Sequence, residues 1–484
     1  MRWAVLLLSL LTSFVWADKP SILWVCVDDM SDWMGCYGDK TVPTPHIDGL
    51  AAQGVRFDRV YMPAPVCSAT RSALITGTMQ TSHGLHHHRT MIKKPLPKGI
   101  VTVPELFRAA GYLTFNEAKD DYNFKKSREQ MYSPEFVRPK KRVKSHLEGT
   151  DLSWLEQLKG KTFFGQIQLK GGKIGGEAGQ KYPTESRVDP ATVNVPPYYP
   201  DDPVVRNGIA RHYEQIAQTD EQVGAILAAL DAFGLSENTI VFFFTDHGSP
   251  LARDKQFLYE GGTKVPLIVR GVGNAGTVRK DLVNGIDISA TSLALAGIEM
   301  PEWIEGLDLF VEAYQPRKFV VSARDRCGNA IDRIRAVRTE HFRYIRNYLT
   351  DRALYEPQYR SGGALFTRLR ELRDAGKLGF IQASYFDASQ RSEEELYDLR
   401  LDPHQINNLA GEPGQAGELA RHRLLLEQWE VESGDQGGLP ESKASLRLVF
   451  KSSKGRCVNP EYEFIVKEQN NLKAPHSPVD CASQ

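Results

Sequence analysis

Cys67 and Arg71 stand four residues apart in the stretch VCSATRSALITG, and the apolar run behind them ends at Gly77. Residues 68 to 75 read as a short helix that begins beside the cysteine, with Gly77 suited to its end. A helix N-terminus turns unpaired backbone N–H groups and partial positive charge toward an anion, and an arginine adds a fixed charge and a fork of donors. Nucleophile, anion-binding turn and guanidinium together suit attack on a tetrahedral oxyanion. The competing reading of Cys67 is a disulfide, the default use of Cys26, Cys36, Cys67, Cys327, Cys457 and Cys481 in an oxidising compartment.

Two apolar runs end in groups that bind cations. SILWVCV (21–27) is followed by Asp28 and Asp29, and TIVFFFT (239–245) by Asp246 and His247. Either pair alone reads as a helix cap or a solvated turn; both together point to a site for a hard divalent cation. The tract SHGLHHHR (82–89) holds His83, His86, His87 and His88. It reads as a metal-binding tract, a pocket-lining loop or a solvated loop.

The elements that must position these groups alternate. Strands are expected at 21–27, 239–245 and 265–271, and helices at PHIDGLAAQGV, at VTVPELFRAAGY and from about Val204 to Phe233. That order predicts an α/β fold, a mostly parallel sheet sandwiched by helices, whose ligands sit beyond the carboxyl ends of the strands. Residues 332–348 alternate like two antiparallel strands with a turn at Thr339 to His341, LFTRLRELRDAG is an amphipathic helix, and ELYDLRLDP reads as a final strand. The expected division is 1–17 a signal peptide, 18–330 a catalytic domain, 331–430 a smaller antiparallel α+β subdomain, and 431–484 an irregular tail.

Bulk composition narrows the partners. The 484 residues carry 60 basic and 60 acidic side chains, so nothing asks for nucleic acid or an anionic membrane as an electrostatic partner. An anionic substrate has to be held by a local cluster. The opening MRWAVLLLSLLTSFVWA has the charged, apolar and small-residue regions of a secretory leader and is too short to span a bilayer comfortably, which predicts an exported protein, periplasmic or secreted, without a membrane span.

The order and spacing of these motifs resemble the type I sulfatases of the alkaline phosphatase superfamily. Their signature is Cys-x-(Pro or Ala)-x-Arg followed by Thr-Gly, matched by Cys67, Ala69, Arg71, Thr76 and Gly77. GCYGDKTVPTPHIDGLAAQGVRFDRVY, NTIVFFFTDHG, YEGGTKVPLIVRG and ELYDLRLDPHQINNLA extend the likeness over nearly the whole mature chain. The resemblance implies that a formylglycine-generating or radical-type maturation enzyme oxidises Cys67 to formylglycine, and that one hydroxyl of its hydrate attacks sulfur. The second hydroxyl then drives release of inorganic sulfate, and a cysteine so used is not in a disulfide.

The resemblance also implies residue roles. Asp28, Asp29, Asp246 and His247, with the Cys67 product, correspond to the ligands of one calcium ion; His247 is the least typical of them. Arg71 corresponds to the residue that holds the nucleophile loop, and Lys119 and Lys255 to sulfate-binding lysines, although unaided either reads as a surface lysine. Asp121 stands where many relatives have a histidine, and Lys173 lies nearest the place of another, so these two are candidate acid–base groups, with His83, His86, His87 or His88 as the alternative imidazole. His83 and Lys173 are also candidate substrate contacts. The expected substrate is a sulfate ester, or an N-sulfo group, of a sulfated saccharide. A phosphate or phosphonate ester hydrolase of the same superfamily and a non-catalytic binder of sulfated glycans are the rivals. Cys457 and Cys481 are a candidate bridge.

Overall fold

The computed structural model describes residues 19–138, 151–174, 188–355, 357–454 and 456–473. The leader expected at 1–17 and Cys481 lie outside them.

Seven strands form the main sheet: β1 (Ser21–Val27), β2 (Gly54–Tyr61), β3 (Leu113–Asn116), β4 (Phe163–Leu169), β5 (Thr239–Thr245), β6 (Lys264–Arg270) and β7 (Thr277–Asn284). Their order is β3-β4-β1-β5-β6-β2-β7. The run β3-β4-β1-β5 is parallel throughout, as is β2 with β7. Strand β6, expected to continue the parallel pattern, instead pairs antiparallel with both β5 and β2. The reason lies in the connection: no long helix carries the chain back between β5 and β6, so it re-enters the sheet from the end at which β5 left it.

Period-two alternation splits each central strand between two cores. Leu23, Val25 and Val27 of β1 join a cluster with Ile209, Ile216, Val223 and Ile226 of the 30-residue helix Pro203–Ala232. Ile22, Trp24 and Cys26 face the opposite layer, where they meet Leu74 and Ile75 of α2 (Cys67–Thr76), Phe107, and Ile288 of the helix Asp287–Leu295. With both faces covered, the central strands are apolar almost throughout, which is why they were legible as continuous runs.

A second sheet of four antiparallel strands, ordered β11-β10-β9-β8, contains β8 (Val320–Arg324), β9 (Ile334–Arg338), β10 (Phe342–Asn347) and β11 (Glu394–Asp398). It begins before the expected boundary at 331, because β8 supplies its edge. The stretch after residue 430 is not irregular: helices span Lys443–Ser452 and Glu463–Lys473, and Leu446, Val449, Tyr462 and Ile465 pack into a small core of their own. Their apolar positions recur three or four apart, a helical spacing that the surrounding polar residues obscured.

No disulfide joins the described cysteines: Cys26, Cys36, Cys67, Cys327 and Cys457 are all free. Burial pushes the Cys26 and Cys36 thiols up to about 12, which makes both unreactive packing residues. The default disulfide reading therefore fails for Cys26, Cys36, Cys67 and Cys327, while the candidate bridge from Cys457 to Cys481 has one end outside the described residues. No described helix is long and apolar enough to cross a membrane.

The end of β4 is pressed against the end of β1. A Cβ on Gly172 would lie 2.0 Å from the Asp29 carbonyl oxygen and 2.8 Å from Pro250 Cδ, both parts of the framework rather than flexible tips. Gly172→Ala is therefore expected to destabilise the protein by about 1–3 kcal/mol, read as a lower midpoint in urea unfolding; an unchanged midpoint means the two strand ends are not in register as described.

Candidate active site

The four neighbouring parallel strands β3, β4, β1 and β5 all deliver polar groups at their carboxyl ends, the position where open α/β sheets hold ligands. Just beyond β3 come Lys119 and Asp121, beyond β4 Lys173, beyond β1 Asp28 and Asp29, and beyond β5 Asp246 and His247. The strand ends are pinned together by backbone bonds, Asp28 N–H to Leu169 C=O at 3.0 Å and Asp246 N–H to Val27 C=O at 2.9 Å. Asp29 holds a left-handed φ of 53°, and its N–H donates to Asp246 Oδ1 at 3.1 Å.

Helix α2 brings Cys67 to this rim as its first residue. Every residue of the helix is buried, and Val66 before it provides no side-chain cap, so the first-turn N–H groups face the site. A buried helix rich in serine and threonine survives because its hydroxyls bond to backbone: Ser72 donates to Ser68 C=O at 2.6 Å, Thr76 to Ser72 C=O at 2.8 Å and Thr70 to Ala64 C=O at 2.6 Å.

Arg71, one turn on, ties the helix to three strand ends. Its guanidinium donates to Asp246 Oδ2 at 3.0 Å, to Gln168 Oε1 at 2.5 Å and to Asp28 Oδ1. Gln168, on β4, joins this network only because β4 lies beside α2.

Three lysines close around the nucleophile position. Lys173 Nζ lies 3.2 Å from Cys67 Sγ, 3.2 Å from Asp28 Oδ2 and 3.0 Å from Asp29 Oδ1. Lys255 Nζ is 2.5 Å from Asp29 Oδ2 and 3.8 Å from Sγ. Lys119 Nζ bonds both Asp28 oxygens, at 3.0 and 3.1 Å, and reaches Asp121 Oδ2 at 3.4 Å. Burial raises the Cys67 thiol, but Lys119, Lys173 and Lys255 outweigh it and hold the thiol well below its ordinary value. The same balance keeps Asp28 low, through Lys119, Lys173 and Arg71 against burial, and Asp29 low, through Lys173, Lys255 and His247 against burial.

The loop that carries Lys255 is anchored from the second sheet. Arg360 donates to the Lys255 carbonyl at 3.0 Å, and Arg338 and Arg343 converge on Glu260 Oε1 at 3.1 and 2.7 Å. Against burial, Arg343 and Arg338 pull the Glu260 carboxyl down to about 2, so this clamp is charged at any working pH.

The donor chemistry fits a hard cation. Ligand atoms of Asp29, Cys67, Asp246 and His247 lie within 4.8 Å of one another, all four residues buried. His247 Nε2 is 3.3 Å from Sγ and 3.1 Å from Asp29 Oδ1. Asp28 stands at the edge of this group, its carboxylate engaged by Arg71, Lys119 and Lys173. Carboxylate oxygens suit calcium; the imidazole lies outside its usual preference, and so does the sulfur of unmodified Cys67.

The histidine tract does not act as one unit. His83 lines a separate cavity of about 700 Å³ with Met79, Glu305 and Trp429, apart from the Cys67 group. His86 and His87 pack on each other with ring centres 4.3 Å apart, and His87 Nε2 faces Glu441 at 3.8 Å. Only His88 turns toward the nucleophile: burial lowers its basicity, and the Cys67 sulfur raises it in part. A metal-binding tract is therefore excluded among the described residues, because these rings enter different surroundings. Asp121 is held below its ordinary value by Lys119 and Arg89 against burial.

The Sulfatase family model matches residues 20–298, more than half the chain, and the model for the N-sulphoglucosamine sulphohydrolase C-terminal region matches residues 248–358. This chain belongs to the sulfatase family. It is 31% identical over 478 residues to an ulvan-active sulfatase of Formosa agariphila, covering 92% of this chain and 79% of that one. It is 26% identical over 472 residues to the N-sulphoglucosamine sulphohydrolase of Homo sapiens, covering 86% and 91%. The solved structure of a 2-O GAG sulfatase aligns with a TM-score of 0.61 at 22% identity, covering 89% of this chain and 96% of the other, a likeness that bears on the fold. As a type I sulfatase of the alkaline phosphatase superfamily, the sulfatase described here is a sulfuric ester hydrolase.

Arg71 is the cross-brace of this sulfatase's site. Arg71→Lys removes the fork and leaves Asp246 and Gln168 short of donors inside the protein. A loss of about 3–5 kcal/mol in stability is expected, measured by urea unfolding; a loss below about 1 kcal/mol would show that the network is not under tension at Arg71.

Proposed function

We propose that this sulfatase releases inorganic sulfate from a sulfated saccharide, acting on a sulfate ester or an N-sulfo group, with Cys67 matured to formylglycine and one calcium ion beside it. The observation that carries this reading is the buried Cys67 at the start of α2, with the ammonium groups of Lys173 and Lys255 3.2 and 3.8 Å from its sulfur and Lys119 linked through Asp28. Formylglycine supplies a hydrated aldehyde as nucleophile, and calcium, held by Asp28, Asp29, Asp246 and His247, supplies a Lewis acid.

The chain's own residues account for the rest. Four fixed cations, Arg71, Lys119, Lys173 and Lys255, converge on the nucleophile position, so sulfate oxygens meet oriented donors there without help from bulk charge. Lys119 and Lys255 bind those oxygens, and Arg71 holds the nucleophile helix in place. Lys173, close to both the sulfur position and Asp29, is placed to offer a proton to the departing oxygen. Asp121 is the carboxylate base on the other side, and His88, which the Cys67 sulfur faces, is the imidazole alternative. The N-terminal leader pattern supports action outside the cytoplasm, and the names of the two relatives support a glycan substrate.

The peptide Val60–Arg71, released by trypsin from protein made with a maturation enzyme, is expected to carry the mass of an aldehyde in place of the thiol, and Cys67→Ala to lower sulfate release by at least about 10³-fold. A persistent thiol together with undiminished saccharide binding would favour the non-catalytic reading. Faster turnover of phosphonate or phosphate esters than of sulfate esters in parallel assays would favour the superfamily rival.

Calcium content and activity are expected to fall together in Asp29→Asn and after chelation, with activity restored by added calcium in the wild type. Full activity at a metal content near zero would remove the ion from the mechanism.

A further inference from the structure

Next to the nucleophile, on the side of His88, lies a cavity of about 600 Å³, within the range of small-ligand sites. Its wall has three sources. His88 and Arg89 follow α2, and Arg326, Gln358 and Tyr359 come from the region of the second sheet. Val449, Ser452, Ser453 and Arg456 come from the C-terminal helix Lys443–Ser452 and the turn after it. The C-terminal stretch thus forms part of the site rather than a tail.

The polar groups of this wall are unfinished. Gln358 is 8% exposed, yet its Nε2 has no hydrogen-bond partner among the described residues, and neither has the Tyr359 hydroxyl; His88, 3% exposed, has only the Cys67 sulfur as a side-chain partner. Buried polar groups left without partners are costly, and a ligand rich in hydroxyls would satisfy them. Tyr359 lies stacked on His88 with ring centres 5.2 Å apart. Gly328 makes that possible: a Cβ there would meet the Tyr359 ring at 2.5 Å, and its φ of 62° suits only glycine comfortably.

The charges of the wall are unequal. Among the described residues no carboxylate lines the cavity, whereas three arginines do. Arg326 is neutralised by Glu441, at 2.5 and 3.1 Å, and Arg89 reaches Asp121 at 3.4 Å. The guanidinium of Arg456, an exposed residue, donates to the Ser453 carbonyl at 3.2 Å and has no carboxylate partner among the described residues. A guanidinium without such a partner at the edge of a cavity is a receptor for an oxyanion.

We propose that this cavity is the subsite for the saccharide beyond the scissile sulfate, and that Arg456 selects substrates carrying a second acidic group, a uronate carboxylate or a further sulfate. The inference rests on the sulfated-saccharide reading above and adds the acidic neighbour. Hydroxyls of the sugar satisfy His88, Gln358 and Tyr359, and the second oxyanion satisfies Arg456.

The test is calorimetric binding to the full chain, which does not depend on maturation of Cys67. The probe is a disaccharide carrying a sulfated sugar, a uronate and a second sulfate; it is compared with its carboxyl-reduced form and with the form lacking the second sulfate. One of the two modified probes is expected to bind the wild type at least about tenfold more weakly, and which one identifies the group read. In Arg456→Gln that discrimination should shrink to within about twofold, with Arg456→Lys intermediate. Two results overturn the inference: both modified probes bind the wild type as well as the parent does, or Arg456→Gln weakens all three probes equally and keeps their ratios. Sulfate release by matured protein is measured in parallel. Lost discrimination in Arg456→Gln without any sulfate release by the wild type would refute the catalytic reading and leave the subsite standing; sulfate release with unchanged discrimination does the reverse.

Discussion

Everything at this site depends on one buried guanidinium. Arg71 has no exposure to speak of, and its donors reach Asp28 after β1, Asp246 after β5 and Gln168 on β4. Burying a charge is costly unless it is paired and its donors are used, and Arg71 meets both conditions by spanning three strands at once. The helix that starts with Cys67 is therefore not free to shift along the sheet. Its nucleophile is held where the strand ends converge, and the rest of the chemistry is arranged around that point.

The second consequence is electrostatic. Four carboxylates, Asp28, Asp29, Asp121 and Asp246, and four permanent cations sit close together in a largely buried place, which is tolerable only because opposite charges are in contact. Lys173 is shared between Asp28, Asp29 and the sulfur. An incoming sulfate meets donors already oriented, so little reorganisation is needed as charge develops. The net charge of zero over the chain gives no sign of this, because the clustering is local.

The C-terminal third does more than cover the core. Through Arg360 on the Lys255 carbonyl and the Arg338–Glu260–Arg343 clamp, it fixes the loop that carries a lysine of the site. Through Tyr359 and Arg456 it builds the far wall of the adjoining cavity. The sheet domain thus supplies the reacting groups and the C-terminal region the shape around them, a division that lets substrate preference change without touching the strand ends.

Local chemistry made much of this readable in one dimension. Continuous apolar runs announced β1 and β5 because both faces of the central sheet are covered. Asp28, Asp29, Asp246 and His247 announced themselves by ending those runs, and Cys67 and Arg71 by a one-turn spacing that puts both on the same side of a helix. The histidine tract was misleading for the same reason that these were clear: sequence spacing predicts which side chains share a face only within a regular element, and in a loop it does not. The antiparallel direction of β6, the free state of the described cysteines, the partnership of Arg71 with Gln168, and the arrival of Arg456 beside His88 all depend on contacts between distant segments. Their energetics lie in which groups remain to be satisfied once the layers have packed, and only the tertiary structure decides that.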